Sequence, residues 1–224
     1  MALDLARSLR PTHLVYDVMD DLAAFKSAPA GLVLRQHQAL REAAVVFTGG
    51  RSLHRSVVER RATDVHCFPS GVEPEHYATA VTLRNGKRGD GRPVAGYVGV
   101  IDERIYLDIV GGLATARADW EIMMVGPVLK VDPADLPQAP NITYTGPRRY
   151  AELPEVMVGF DVALMPFALN DATRSISPTK TLEYLAAGAE RARPIPAAQH
   201  WETIAGAMSC LMAAQRQAAT RESA

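Results

Sequence analysis

The sequence predicts an α/β protein with two parallel β-sheets, and three observations support this fold class. Short apolar stretches typical of buried strands alternate with helical patterns over residues 13–68 and again over residues 94–165. Alternation of this kind favours parallel strands joined by crossover helices. The most polar and glycine-rich stretch of the chain, residues 84–93, separates the two sets, and such a stretch is typical of a linker or an exposed loop.

These observations predict two domains and a tail. Residues 1–83 form the first domain, residues 84–93 the linker, residues 94–188 the second domain and residues 189–224 the tail. The tail is expected to contain an amphipathic helix, because its large apolar residues recur at helical spacing. That apolar stripe consists of Trp201, Ile204, Met208, Leu211 and Met212.

The first set contains three predicted strands, at residues 13–17, 44–48 and 64–68, with helices near residues 31–43 and 51–61. The first strand leads into an acidic loop that contains Asp17, Asp20 and Asp21. Open parallel sheets bind ligands at the carboxyl ends of their strands, so these carboxylates are candidate ligand contacts. The alternative is that they are loop acids without a role.

The second set contains predicted strands at residues 94–98, 121–125, 142–145 and 161–165. Gly96 and Gly99 permit a tight turn into the next helix, where the backbone could approach a phosphate. Arg104 adds a cation at this helix entry, although a solvated surface arginine is an equal alternative. The three spaced glycines of a dinucleotide-binding fingerprint are absent, which disfavours NAD.

Residues 177–188 read as one short helix with clear ends. Ser177 is a good N-cap, Pro178 suits the first helical position and Gly188 suits a left-handed turn after the last one. Lys180 breaks the local rules, because the first turn of a helix prefers a carboxylate to a cation. A lysine beside free amides would attract a phosphate, and Glu183, one turn deeper, could accept two sugar hydroxyls. The alternative is a solvated Lys–Glu pair.

Composition excludes some classes of protein. The 224 residues are 48% apolar and 22% charged, with a net charge of −1, which is ordinary for a globular protein and gives no electrostatic sign of a nucleic-acid partner. Cys67 and Cys210 are far apart in sequence and are expected to be reduced, buried thiols. No apolar run approaches the roughly 18–20 residues of a membrane span. A cytoplasmic location is therefore expected.

Several short motifs, taken in order, resemble GT-B-fold glycosyltransferases of the retaining family 4 type. They are Pro-Ser-Gly-Val-Glu at residues 69–73, Gly-Tyr-Val-Gly at 96–99, Val-Gly-Pro at 125–127, Asp-Val-Ala-Leu-Met-Pro at 161–166 and the helix at 177–188. The resemblance implies two Rossmann-like domains facing a cleft, with the nucleotide sugar held by the C-terminal domain and most of the acceptor by the N-terminal one. It implies no cofactor and no metal, because cationic side chains and a helix N-terminus neutralise the leaving diphosphate.

The resemblance also implies roles for individual residues. Glu183 would bind the ribose hydroxyls, Lys180 would neutralise the diphosphate, and Arg104 would assist from the opposite loop, so that Lys180 and Arg104 are the catalytic candidates. The implied donor-binding residues are Gly99, Gly126, Ser177, Thr179, Lys180 and Glu183. Many family members carry a second glutamate near the donor sugar at the position of Ser175, and this chain does not.

Two larger departures concern completeness. Only about three strands of the N-terminal Rossmann-like domain are present, and no strand pattern follows Gly188. The N-terminal domain is therefore expected to be incomplete and the C-terminal one to lack strands, which leaves sheet edges and apolar surface uncovered. A fold of marginal stability is expected unless a homodimer covers such an edge.

Three hypotheses follow from the sequence. The chain is a glycosyltransferase that uses a nucleotide sugar, a catalytically impaired remnant that binds the donor, or a non-catalytic interaction module. The nucleotide base, the sugar and the acceptor, whether a glycan, a lipid-linked molecule or a small molecule, stay open.

Overall fold

The computed structural model describes residues 2–24, 28–84, 91–177, 179–188 and 200–222. Contacts divide the chain into two compact units. Unit 1 consists of Met1–Gly71, Asp171–Ser177 and Ala197–Ala224, and unit 2 consists of Val72–Asn170 and Pro178–Pro196.

Helices and strands alternate along most of the described chain, as the sequence predicts. The helices are α1 (Ala2–Ser8), α2 (Ala30–Glu42), α3 (Arg51–Val58), α4 (Pro74–Arg84), α5 (Leu107–Ala116), α6 (Leu153–Val158), α7 (Asp171–Arg174), α8 (Thr179–Ala186) and α9 (Trp201–Glu222). The strands are β1 (Val15–Val18), β2 (Val45–Thr48), β3 (Val65–Cys67), β4 (Val94–Val98), β5 (Glu121–Val125), β6 (Ile142–Gly146) and β7 (Val162–Ala163).

Unit 1 contains a three-stranded parallel sheet in the order β1-β2-β3. The central strand β2 pairs with a strand on each side and is buried along its whole length. The core of unit 1 combines residues of β1 and β2 with residues of helices α2 and α3 and with Ala43, which directly follows α2. The buried members of this core are Val18, Leu40, Ala43, Val46, Leu53 and Val57. The strand number agrees with the three strands predicted for this part of the chain.

Unit 2 contains a four-stranded parallel sheet in the order β6-β5-β4-β7. Successive side chains of a strand point to opposite faces, and the two faces of this sheet contribute to two separate cores. Ala95 and Tyr97 pack in the core that contains Val110 of α5. Val98 packs in the other core, with Tyr77 of α4 and with residues of α6 and α8. Helices therefore cover both faces of this sheet.

The division into units differs from the boundary that composition predicts at residues 84–93. Helix α4 precedes that stretch but belongs to unit 2, because Tyr77 and Ala80 are wholly buried in the same core as Leu182 and Ala187 of the α8 region. Polar composition indicates solvent exposure, and it does not indicate which core the preceding helix joins.

The C-terminal helix bears out one prediction and corrects another. Ile204 is buried and Met208, Leu211 and Met212 are half-buried, as predicted for the apolar stripe, while the side chain of Trp201 lies outside the described part of the chain. The prediction of a buried Cys210 was wrong, because Cys210 lies off this stripe and is exposed. Cys67 is half-buried and both thiols are free.

Replacing Gly96 with alanine is expected to destabilise unit 2. A Cβ at Gly96 would lie 2.2 Å from ring carbons of Phe160, and Phe160 is itself buried, so overpacking should lower the free energy of unfolding by about 1–3 kcal/mol. Urea unfolding measures this change. Gly112→Ala is the matched control, because a Cβ there meets open space on α5 and alanine favours the helix by about 0.5–1 kcal/mol. Equal stability of the two variants would contradict the packing described for β4.

Candidate donor site in unit 2

Two glycines bring the loops after β4 and β5 into close contact. Gly99 and Gly126 have φ angles of 148° and 144°, a region that residues with a side chain rarely adopt. A Cβ at Gly126 would lie 1.9 Å from the carbonyl oxygen of Gly99, and the Gly99 amide donates to the carbonyl of Val125 at 2.8 Å. The two strand ends therefore meet at a point where neither loop has room for a side chain.

Helix α8 is anchored to the end of β4 by a buried tyrosine. The amide of Val98 donates a hydrogen bond to the hydroxyl of Tyr184 at 3.0 Å. Strand β7 pairs with β4 only as far as Gly96. The Val98 amide lies beyond the last β7 pair, and the tyrosine hydroxyl accepts its hydrogen bond there. Tyr184 lies within the motif at residues 177–188, but nothing in the sequence indicates this hydrogen bond.

Lys180 extends from the first turn of α8 over Gly99. A Cβ at Gly99 would lie 2.2 Å from Cε of Lys180 and 2.8 Å from its Nζ. The Nζ lies 5.8 Å from the ring centroid of Tyr97 and 5.9 Å from that of Phe167, within the range of cation–π attraction. The salt bridges found among the described residues do not include Lys180. Burial lowers the pKa of Lys180, and the charge of Glu183 opposes this shift.

Glu183 lies one turn further along α8 and is half-buried. Burial raises the pKa of this carboxyl, while Lys180 and the hydroxyl of Tyr77 act in the opposite direction. The side chain of Tyr77 is wholly buried, and its hydroxyl has no hydrogen-bond partner in the described part of the chain. A partly desolvated carboxylate with a phenol beside it can accept hydrogen bonds from the hydroxyls of a ligand.

Arg104 is held by a buried carboxylate. Its Nε donates to the two oxygens of Asp102 at 2.9 and 3.1 Å, and its Nη2 donates to Oδ2 at 2.8 Å. Only 7% of the Asp102 side chain is exposed, against 28% of the Arg104 side chain. The carbonyl of Arg104 accepts from the amide of Ala168 at 2.8 Å, which ties this loop to the segment after β7. Asp102 is a second residue that the sequence analysis missed.

Three of the charged residues that the sequence singles out, Lys180, Glu183 and Arg104, lie in unit 2. The charges of Glu183 and Arg104 both act on the pKa of Lys180. Thr179 is the first residue of α8 and is half-buried. The predicted left-handed turn at Gly188 is confirmed by its φ of 78°.

Ser177 is placed differently from the other candidates. It belongs to unit 1, where its carbonyl accepts a hydrogen bond from the hydroxyl of Ser70 at 3.2 Å. Helix α8 begins at Thr179, and Pro178 lies outside the described residues, so the N-cap role of Ser177 stays a prediction. Asp17 and Asp21 also belong to unit 1, and Asp21 accepts from the amide of Ala23 at 3.3 Å.

Solved structures show the class of fold. HepE of Anabaena, in complex with UDP and glucose, superposes with a TM-score of 0.61 at 17% identity, over 82% of this chain and 53% of HepE. Sucrose-phosphate synthase of Thermosynechococcus elongatus gives 0.56 at 14% identity, over 82% and 51% of the two chains. A UDP-forming α,α-trehalose-phosphate synthase of Burkholderia vietnamiensis gives 0.52 at 17% identity, over 81% and 53%. The fold is that of GT-B glycosyltransferases, as the sequence predicts, and the chain spans about half the length of these structures.

A curated relative points to the same class. Over 144 residues the chain is 28% identical to TuaH of Bacillus subtilis (strain 168), a protein that carries the name of a teichuronic acid biosynthesis glycosyltransferase. The match covers 61% of this chain and 36% of TuaH. No protein-family model matches the chain.

Two features are absent from the described residues. None of the helices described here is long and apolar enough to cross a bilayer. Within the same residues, no cluster of three or more His, Cys, Asp or Glu side chains is arranged to hold a metal ion.

Removing the hydroxyl of Tyr184 should loosen α8 from β4. Tyr184→Phe leaves the Val98 amide without its partner in a buried position, and an unsatisfied buried group costs about 1–3 kcal/mol. Urea unfolding should show this loss, whereas Tyr106→Phe, at a site where the side chain is exposed, should leave stability unchanged. A Tyr184→Phe protein as stable as the parent would mean that the anchor contributes nothing.

Proposed function

We propose that unit 2 binds a nucleotide sugar and that the protein acts as a retaining, metal-independent glycosyltransferase. The observation that carries this proposal is the cluster at the end of β4. Lys180 and Glu183 of α8 lie there together with Arg104, next to two glycine turns that have no side chains. A phosphate and a sugar hydroxyl are the groups that such a lysine and such a carboxylate bind best.

The electrostatics of Lys180 support a diphosphate ligand. Its ammonium is partly desolvated and faces two aromatic rings, so an anionic ligand would supply the counter-charge that those rings only partly replace. Arg104 commits one edge of its guanidinium to Asp102, which fixes the orientation of the whole planar group. A fixed fork of this kind recognises phosphate oxygens with little loss of entropy.

The same groups suit the chemistry of transfer. In the transfer step an acceptor hydroxyl oxygen bonds to the anomeric carbon and gives up its proton to the leaving diphosphate. The bond from that carbon to the diphosphate oxygen breaks, and the diphosphate leaves with the bonding electrons and gains negative charge. Lys180 and Arg104 are preorganised cations at that place, and stabilisation of developing charge is usually the largest single contribution to catalysis. HepE was solved with UDP and with UDP-glucose, which makes the uridine nucleotide the first ligand to test.

Calorimetric titration with UDP, and with GDP as the second base, tests the donor site. We expect a dissociation constant near 100 μM, which corresponds to roughly −5.5 kcal/mol. Lys180→Ala and Glu183→Ala should each weaken binding about tenfold or more, because each removes a charge-assisted hydrogen bond. Glu155→Ala is the control for Glu183→Ala, since Glu155 is an exposed carboxylate on α6 of the same unit.

Two outcomes decide between the hypotheses. Folded protein that binds neither nucleotide at millimolar concentration would overturn the donor site. Binding of UDP without release of UDP from UDP-glucose, in the presence of candidate acceptors or of water alone, would favour a donor-binding remnant over a functioning transferase.

The affinity for UDP should depend on pH through Lys180. Burial lowers the pKa of this lysine from 10.5, and only the protonated form attracts the diphosphate. Affinity should therefore fall as the pH rises through the lowered pKa, in a range below 10.5. Lys180→Met is expected to bind UDP more weakly and to lack this titration. The ratio of the parent's affinity to that of Lys180→Met, measured at each pH, therefore cancels the titration of UDP itself. A ratio that stays constant up to pH 10.5 would contradict the role given to Lys180.

A further inference from the structure

Helices α4 and α8 pack side by side in unit 2, and Tyr77 lies at their contact. A Cβ at Gly188 would lie 3.0 Å from Cγ2 of Val81, so the end of α8 fits closely against α4. Tyr77 is one helical turn before Val81 and is wholly buried, in the same core as Leu182. The contact thus places the phenol of Tyr77 beside the turn of α8 that carries Glu183.

The hydroxyl of Tyr77 is a buried donor without an acceptor. It has no hydrogen-bond partner in the part of the chain that the structure describes, and most buried polar groups in folded proteins do have one. The hydroxyl of the neighbouring Tyr150 donates to Glu73 at 2.8 Å, and the geometry gives no hydrogen bond between it and the hydroxyl of Tyr77. Burial raises the pKa of Tyr77, and the negative charge of Glu183 raises it further.

We propose that Tyr77 is a positioning residue for the ribose: its hydroxyl donates to one oxygen of Glu183 while the other oxygen accepts a ribose hydroxyl. This inference rests on the proposed donor site. A carboxylate has two oxygens and about four lone-pair positions, so the two hydrogen bonds do not compete. The hydrogen bond from the Tyr77 hydroxyl to one oxygen of Glu183 fixes the rotation of this carboxylate. Tyr77 lies on α4, a helix that carries none of the residues predicted to bind the nucleotide sugar.

Lys180 and Tyr77, two of the neighbours that act on Glu183, then have different tasks. Lys180 lies on α8 itself and is aimed at Gly99, where a phosphate would lie. Tyr77 approaches from the core, where no ligand can reach, since its side chain is wholly buried. Tyr77 therefore acts on the nucleotide only through Glu183.

The variant Tyr77→Phe, titrated with UDP and with 2′-deoxyuridine diphosphate, tests the proposal. The parent protein should prefer UDP about tenfold, because the 2′-hydroxyl is one of the groups that Glu183 binds. Tyr77→Phe should lose about threefold to tenfold in affinity for UDP and much less for the deoxynucleotide, so the preference for UDP collapses. Tyr144→Phe is the control, as it removes a tyrosine hydroxyl that donates to Pro137 at 3.1 Å in the same unit.

The melting temperature of Tyr77→Phe gives a second readout, and it is not expected to fall with the affinity for UDP. The hydroxyl of Tyr77 has no partner among the described residues in the ligand-free structure, and its hydrogen bond to Glu183 forms when the nucleotide binds. Without ligand, Tyr77→Phe should therefore unfold at the same or a higher temperature than the parent. Equal losses of affinity for the two nucleotides, or a lower melting temperature with an unchanged preference for UDP, would overturn the positioning role and leave the donor site standing. A parent protein that does not bind UDP would overturn both.

Discussion

The missing side chain at Gly99 is the constraint on which the candidate site depends. A Cβ there would collide with the Lys180 side chain 2.2 Å away, and the carbonyl of the same residue lies where a Cβ of Gly126 would be, at 1.9 Å. The loop after β4, the loop after β5 and the first turn of α8 therefore converge on one residue. Because L side chains rarely adopt φ angles near those of Gly99 and Gly126, this convergence depends on glycine twice, once for conformation and once for space.

The two cations near Gly99, Arg104 and Lys180, differ in how their charge is compensated. Arg104 has a buried carboxylate partner in Asp102, whereas Lys180 is flanked by the rings of Tyr97 and Phe167. Burial lowers the pKa of Lys180 and raises the pKa of Glu183, so desolvation disfavours the charged form of each. A ligand that carries a phosphate and a sugar hydroxyl would satisfy both groups together. Local inconsistency of this kind is expected mainly at functional or strained sites.

The sequence predicts what depends on nearby residues. The strands, the glycine turns and the left-handed Gly188 follow from periodicity and turn chemistry, and Lys180 is identified because it breaks a rule within its own helix. The residues it misses act over long distances in the chain: Tyr184 meets Val98 from 86 positions away, and Tyr77 meets α8 through the packing of α4. The domain boundary differs for the same reason, since the unit that α4 joins depends on which core receives Tyr77 and Ala80.

The rotation of α8 links its core residues to its charged ones. Successive helical residues are about 100° apart, so a helix fixed at one side chain has every other side chain fixed in direction. Leu182 and Tyr184 are buried, and Tyr184 is held by the Val98 amide. Lys180 and Glu183, at positions i and i+3, then share the face next to these core residues. A rotation by one position would bury Glu183 and move Tyr184 to a half-buried position away from the Val98 amide. The hydrogen bond from β4 therefore selects the orientation in which both charges lie at the carboxyl ends of the strands.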